Sequence, residues 1–182
     1  MRVISGTARG LKLNTPSGIE TRPTLDRVKE AVFSMLLPYL NGAVVLDLFA
    51  GSGALGIEAL SRGADKSVFV DNSEDAIKSI NTNIKSAKIT ECSTVLKTNA
   101  ANFLQNCNQK FDIIFLDPPY AKGLYNDILH LIEINRLLKD DGLIVVEWDF
   151  ETGFTDNYSS FEVFKEKKYG RVGITVLKWG LA

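Results

Sequence analysis

Cysteine, histidine, tryptophan and methionine are all scarce in this 182-residue chain, which holds two Cys, one His, two Trp and two Met. Cys92 and Cys107 fit neither a metal-ligand spacing nor a disulfide framework. They read as free thiols of a reducing cytoplasm, and no metal centre is expected. The longest apolar stretches are a handful of residues, too short to cross a bilayer, so no membrane association is expected. The opening Met1-Arg2-Val3-Ile4-Ser5-Gly6 lacks the apolar core of a secretory signal, which again points to the cytoplasm. Internal repeats and low-complexity linkers are missing too. What is present is an ordinary globular composition, 45% hydrophobic and 24% charged, in a chain long enough to bury a core without staples. One domain is expected over 1–182, with residues 1–40 as an arm and helix and 41–182 as a catalytic core; monomer is the default state.

The formal net charge of −1 conceals an asymmetry. Residues 1–40 and 161–182 each carry an excess of three positive charges, and the segment between them an excess of seven negative ones. A polyanion could bind where the two basic ends converge. Arg9, Arg22 and Arg27 near the start, and Lys167, Lys168 and Arg171 near the end, are the candidate phosphate contacts; a solvated surface explains them equally well.

Residues 2–14 read as two short strands around a Gly6 to Gly10 turn. Thr24 then precedes an amphipathic helix with Leu25, Val28, Val32, Leu36 and Tyr39 on one side, bracketed by Pro23 before it and by Pro38 and Gly42 after it. From residue 43 the pattern alternates. Strands are expected at 43–48, 67–71, 94–97, 113–117 and 143–148, with helices near 54–62, 73–87, 100–106 and 124–138. Short buried runs alternating with helices predict right-handed βαβ units, an α/β fold with a mostly parallel sheet. The apolar segments flanking Lys167-Lys168-Tyr169-Gly170 predict a closing antiparallel hairpin.

Asp47-Leu48-Phe49-Ala50-Gly51-Ser52-Gly53-Ala54-Leu55-Gly56 stands where the first core strand turns into a helix. Its glycines permit a tight turn and close approach of a ligand to the backbone. Asp71, at the end of the next strand, can accept hydrogen bonds from ribose hydroxyls, so NAD is a legitimate candidate on this motif alone. Asp47 favours S-adenosylmethionine (SAM): a carboxylate there suits a cationic methionine moiety and would sit poorly beside a pyrophosphate.

The decisive segment is Asp117-Pro118-Pro119-Tyr120, which follows the apolar run 111–116. Strand carboxyl ends line the ligand crevice of an open α/β sheet, and paired prolines free carbonyls from secondary structure. An exocyclic amino group can donate to the Asp117 carboxylate and the Pro118 carbonyl. Those bonds localise the nitrogen lone pair, and Tyr120 offers an aromatic face to an extruded base. No strong base is needed, because a nearby carboxylate stabilises the charge that develops on nitrogen.

Together these residues resemble a class I SAM-dependent methyltransferase of the amino-methylating kind. Gly6-Thr7-Ala8-Arg9-Gly10, then Arg22-Pro23-Thr24 with Asp26-Arg27-Val28-Lys29-Glu30 and Phe33, is similar to the opening of the RsmD family, bacterial guanine-N2 methyltransferases of small-subunit ribosomal RNA. The resemblance covers about residues 2 to 178. It implies a Rossmann-like, seven-stranded sheet, SAM as cofactor, and 16S ribosomal RNA or a small ribosomal subunit particle as partner. It matches Asp47, Ala50, Gly51 and Gly53 to the SAM loop and Asp71 to the ribose. Asn99 and Ala100 match the adenine contacts; many methyltransferases have Asp in place of Asn99. Asp117, Pro118 and Tyr120 match the catalytic motif. The helix after Arg22-Pro23-Thr24 resembles the segment beneath the methionine end of the cofactor, with Thr24 as cofactor contact, helix cap or both.

His130, inside an amphipathic stretch, reads as a packing or surface residue, and Trp148 and Trp179 as packing residues. Glu147, near the end of a core strand, either lines the same crevice or is a structural acid. The rival readings are an adenine-N6 methyltransferase on DNA or RNA, which the Asp-Pro-Pro-Tyr motif cannot separate, an NAD-dependent oxidoreductase, and a non-catalytic RNA-binding assembly factor.

Overall fold

The computed structural model describes residues 1–16, 23–118, 124–151, 153, 154, 158 and 160–180, and within the first helix the side chains from residue 26 onward. The elements run α1 (Pro23–Leu40), β1 (Val44–Leu48), α2 (Ala54–Ser61), β2 (Lys66–Asp71), α3 (Glu74–Ala87), a short 3₁₀ turn (Thr90–Cys92), β3 (Ser93–Lys97), α4 (Ala100–Asn106), β4 (Phe111–Leu116), α5 (Leu124–Ile134), β5 (Leu138–Asp149), β6 (Phe161–Tyr169) and β7 (Val172–Trp179).

The seven strands form one sheet in the order β3-β2-β1-β4-β5-β7-β6. Strands β1 to β5 are mutually parallel, and β7 runs antiparallel to both β5 and β6. This is the expected Rossmann-like α/β architecture with its closing antiparallel hairpin. The chain leaves β1 toward β2 and β3, then returns to place β4 on the other side of β1. The reversal opens a crevice at the carboxyl ends of β1 and β4.

Side-chain alternation sorts the apolar residues of each strand onto two faces. Val45, Ile113, Phe115, Val145 and Ile174 pack against α1, α2 and α3 through Phe33, Leu36, Ile57 and Ile80. Leu46, Leu48, Ile114, Leu116 and Val146 pack against α4 and α5 through Leu104, Ile128 and Ile132. Each such fully buried side chain contributes about 1.5–3 kcal/mol. Phe33 meets Phe115 with ring centroids 5.6 Å apart, which holds α1 across the end of the sheet that carries the crevice.

Several expectations change on folding. The N-terminal arm folds back on itself as a short hairpin, with an Arg2–Lys12 antiparallel bridge and the Val3, Leu13 and Gly10 amides donating to the Leu11, Met1 and Val3 carbonyls, but it does not extend into full strands. Its turn is fastened to α2: Glu58 accepts from the Ile4 and Ser5 amides at 2.8 and 3.0 Å, and Ser61 Oγ accepts from Ala8 at 2.9 Å. Helix α1 begins at Pro23, so Thr24 lies inside its first turn rather than preceding it. Proline suits a first helical position, where its missing N–H has no partner to lose. Pro38 does not end that helix; it sits inside the last turn, two residues before the end. Tyr39 is partly exposed and Leu40 takes the buried position expected of it. Helix α5 stops at Ile134 because Arg136 turns left-handed, with the Leu137 amide bonded back to Ile132. Strand β5 starts five residues early, at Leu138, and its pairing with β4 passes an irregularity between Phe111 and Ile113. Leu25, as a side chain, lies outside the described residues.

Candidate active site at the carboxyl end of the sheet

Strand register builds the site in two layers. The cross-sheet row Val95, Phe69, Asp47, Phe115, Val145, Val176 contains one acid among apolar side chains. Asp47 is therefore buried, and burial pushes its carboxyl up to about 8, reinforced by the charges of Asp117 and Asp71. The Gly56 amide, donating to its Oδ2 at 2.9 Å, opposes that rise. Two residues further along each strand, on the same face, stand Asp71 on β2, Asp117 one step past β4, and Glu147 on β5. Burial raises Asp117 to about 6. Burial and then the charge of Asp117 raise Glu147 to about 8.

The loop after β1 wraps over this layer. Gly51 and Gly53 have φ of +56° and +76°, values that disfavour any side chain. Phe49 also adopts a positive φ, +59°, a strained conformation at the mouth of the crevice. The Gly51 amide donates to Asp71 Oδ2 at 2.8 Å, and the Ser73 amide to Asp71 Oδ1 at 2.9 Å. Ala50 donates its amide to the Val70 carbonyl at 3.1 Å, which stitches the loop to the end of β2. Gly56 has a packing reason: an added Cβ would lie 2.3 Å from the Phe69 ring.

Asn99 and Ala100 follow β3 at the same edge. Asn99 is exposed and caps α4, its Oδ1 accepting from the Asn102 amide at 2.7 Å, and Ala100 is buried beneath it. Pro118 is buried beside Asp117. Thus Asp47, Ala50, Gly51, Gly53, Asp71, Asn99, Ala100, Asp117 and Pro118 share one end of the sheet. Tyr120 and Arg22 lie outside the described residues, as does the side chain of Thr24.

The basic candidates do not gather there as one group. Arg9 is exposed on the arm and Arg27 on α1. Lys167 is exposed on β6, while the Lys168 ammonium lies 2.9 Å from the centroid of the Phe150 ring. Arg171 is engaged by carboxylates, Glu151 at 2.7 Å and Asp149 at 3.5 Å. His130 is exposed on α5, with Glu133 3.7 Å away. Trp148 is buried and donates to Thr175 Oγ1 at 3.0 Å, and Trp179 donates to the Lys139 carbonyl at 3.1 Å.

Two residues that sequence patterning does not single out support the site from below. Glu58 is completely buried, 3.1 Å from Lys29 and 2.7 Å from Arg62, and it joins arm, α1 and α2 at one point. Asn83 of α3 accepts from the Asn14 amide at 2.8 Å and donates to the Asn14 and Ser52 carbonyls at 2.9 Å each, tying the arm to the glycine loop. A polar residue at a core-facing helical position was the available signal for both.

An S-adenosyl group fits these residues. Its cationic centre matches a buried acid layer that otherwise repels itself, and the Gly51–Gly53 turn leaves backbone uncovered at the crevice.

Residues 1–178 match the family described as "Conserved hypothetical protein 95". The chain is 40% identical to the Bacillus subtilis protein named "Putative rRNA methyltransferase YlbH", over 98% of both. It is 37% identical to Ribosomal RNA small subunit methyltransferase D of Escherichia coli, over 94% of this chain and 86% of that one. Among solved structures, "Putative methyltransferase yhhF from Escherichia coli" superposes with a TM-score of 0.89 at 36% identity, covering 100% of this chain and 99% of that one. Among the described residues, no helix is long and apolar enough to cross a membrane.

Proposed function

The chain belongs to the RsmD family of SAM-dependent methyltransferases, and from that premise we propose that it methylates the exocyclic N2 amino group of one guanine in 16S ribosomal RNA. The observation that carries the proposal is the position of Asp117: past the end of β4, at the sheet's topological switch point, one layer above the buried Asp47.

SAM, when bound, supplies an electrophilic methyl group on a sulfonium. In this reading Asp47 faces the cationic methionine end, and the positive N-terminus of α1 at Pro23–Thr24 suits its carboxylate. Asp71 accepts from the ribose hydroxyls with the lone pairs its Gly51 and Ser73 bonds leave open. Asn99 and the Ala100 amide meet the adenine edge, with the Asn99 Nδ2 free to donate because Oδ1 caps the helix. On the substrate side, the Asp117 carboxylate and the Pro118 carbonyl accept the two amino N–H groups and aim the nitrogen lone pair. Tyr120 stacks on the base. Asp117 stabilises the charge that builds on nitrogen and then receives the proton that leaves it.

The test is methyl transfer from isotope-labelled SAM to small ribosomal subunits lacking the modification, to naked 16S RNA and to duplex DNA, with nucleosides identified by mass spectrometry. Labelled N2-methylguanosine from a ribosomal substrate is expected. Label in N6-methyladenine would overturn the substrate, and no label despite SAM binding would overturn the activity. Asp117→Ala is expected to lower kcat by about 100-fold or more while SAM affinity changes little.

A further inference from the structure

Glu147 is the acid in this site that the proposed chemistry leaves unused. Strands β4 and β5 are parallel neighbours whose last shared pair is Leu116 with Val146. The next position on each is an acid, Asp117 and Glu147, so the two side chains rise side by side on one face, on strands about 4.8 Å apart.

Of the acids standing with Glu147, Asp71 accepts from two amides and Asp47 from one, while the Asp117 carboxylate, which takes the amino group in the reading above, likewise has no partner among the described residues. The Glu147 carboxylate takes part in no hydrogen bond or ion pair among the described residues, although the residue is half-buried. Its backbone is nonetheless held firmly: the Tyr125 hydroxyl donates to the Glu147 carbonyl at 3.2 Å, and the residue is paired with Ile174. A purely structural acid would show the contacts it organises. This one is an acceptor held in place, beside the acceptor that takes the amino group, with no donor to it among the described residues.

We propose that Glu147 determines base specificity by accepting the N1–H of the target guanine while Asp117 accepts its neighbouring N2–H. The inference rests on the guanine-N2 reading above. Guanine presents N1–H and the amino group as adjacent donors on one edge, which two acceptors on adjacent strands complement. A purine with an unprotonated N1 directs a lone pair at Glu147 and leaves that carboxylate without a donor. Sites built to hydrogen-bond a donor reject analogues that lack it far more strongly than apolar pockets reject a missing methyl. Burial and the charge of Asp117 push Glu147 toward its protonated form, and the guanine N1–H, by donating to the carboxylate, favours the ionised, acceptor-only form on which the discrimination depends.

The experiment uses 2-aminopurine, which keeps the 2-amino group but has a bare N1. Small-subunit RNA carrying guanine or 2-aminopurine at the methylated nucleotide, mapped first by mass spectrometry, is offered to the wild type and to Glu147→Gln. The wild type is expected to prefer guanine by about 10- to 100-fold in kcat/KM. Glu147→Gln, whose amide can donate to a bare N1, is expected to narrow that ratio at least tenfold, partly by gaining on 2-aminopurine. Its SAM affinity is expected to match the wild type, and its circular dichroism to show the same fold. Equal losses on both bases, or a loss of SAM affinity, would overturn the proposal. If the wild-type product is not N2-methylguanosine, the guanine-N2 reading itself fails, and that is seen before the variant is made.

Discussion

At the scale of single residues, the site is an arrangement of carboxyls that the fold holds at a cost. Asp47 lies in the middle of an apolar row, where its ionised form loses hydration and faces Asp117 and Asp71. Its folded value of about 8, against 3.8 for the free group, means that the folded state keeps a proton which the unfolded state has already released between those values. The stability contribution is therefore lost as pH rises from about 4 to 8, and Glu147 acts in the same direction. The ligand-free protein is expected to unfold at progressively lower temperature across pH 5 to 8.5. Asp47→Asn should flatten that slope while weakening SAM binding by tenfold or more, checked by thermal unfolding at several pH values and by calorimetric titration. A variant that leaves both unchanged would remove Asp47 from the cofactor site.

At the scale of elements, the arm and α1 matter because they cover the face on which these acids stand. Both are fastened to α2 at one buried point. Lys29 and Glu58 are 5% and 0% exposed, and Lys29 also donates to the Arg2 carbonyl at 2.5 Å. Burial lowers the lysine's pKa, and Glu58 restores part of it. Removing one member of a buried pair leaves the other uncompensated, which costs about 3–5 kcal/mol. Glu58→Ala is expected to lose that much in chemical denaturation and to release the arm, visible as faster amide exchange at Ile4 and Ser5. A loss below about 1 kcal/mol would mean that α1 and the arm are anchored elsewhere. The arm has a further bond to the end of α2, the Thr7 amide donating to the Ser61 carbonyl at 2.8 Å.

For the whole molecule, charge asymmetry is the feature that folding redistributes. The basic excess at the two ends survives in the fold, but its members are not equivalent. Arg171 is already held by Glu151 and Asp149, whereas Lys167 has no ion pair among the described residues. Reversing Lys167 and Lys168 to Glu is expected to weaken binding to ribosomal RNA and to reduce its log–log salt slope by about one to two. Arg171→Ala should do markedly less, because that guanidinium neutralises protein carboxylates before it can meet a phosphate. Filter binding between low and moderate salt separates the two, and an unchanged slope in the lysine variant would take the hairpin out of the RNA surface.

The sequence by itself determined the alternation of elements, the glycine turn after β1 and the acids at strand ends, because period, turn chemistry and strand termini are local properties. It determined the catalytic motif as a candidate for the same reason. The boundaries that moved did so where tertiary contacts outweighed local preference: Pro38 stays within a helix whose other face is buried, and the arm's hairpin stays short because the amides of its turn go to α2. Only the tertiary structure decided which acids share a layer. Asp47, Asp117 and Glu147 are separated by 30 to 100 residues in the chain. Parallel register, a long-range property of the whole sheet, sets Asp47 below and the other two side by side, and the antiparallel pairing of β5 with β7 gives Arg171 partners that no local pattern reveals.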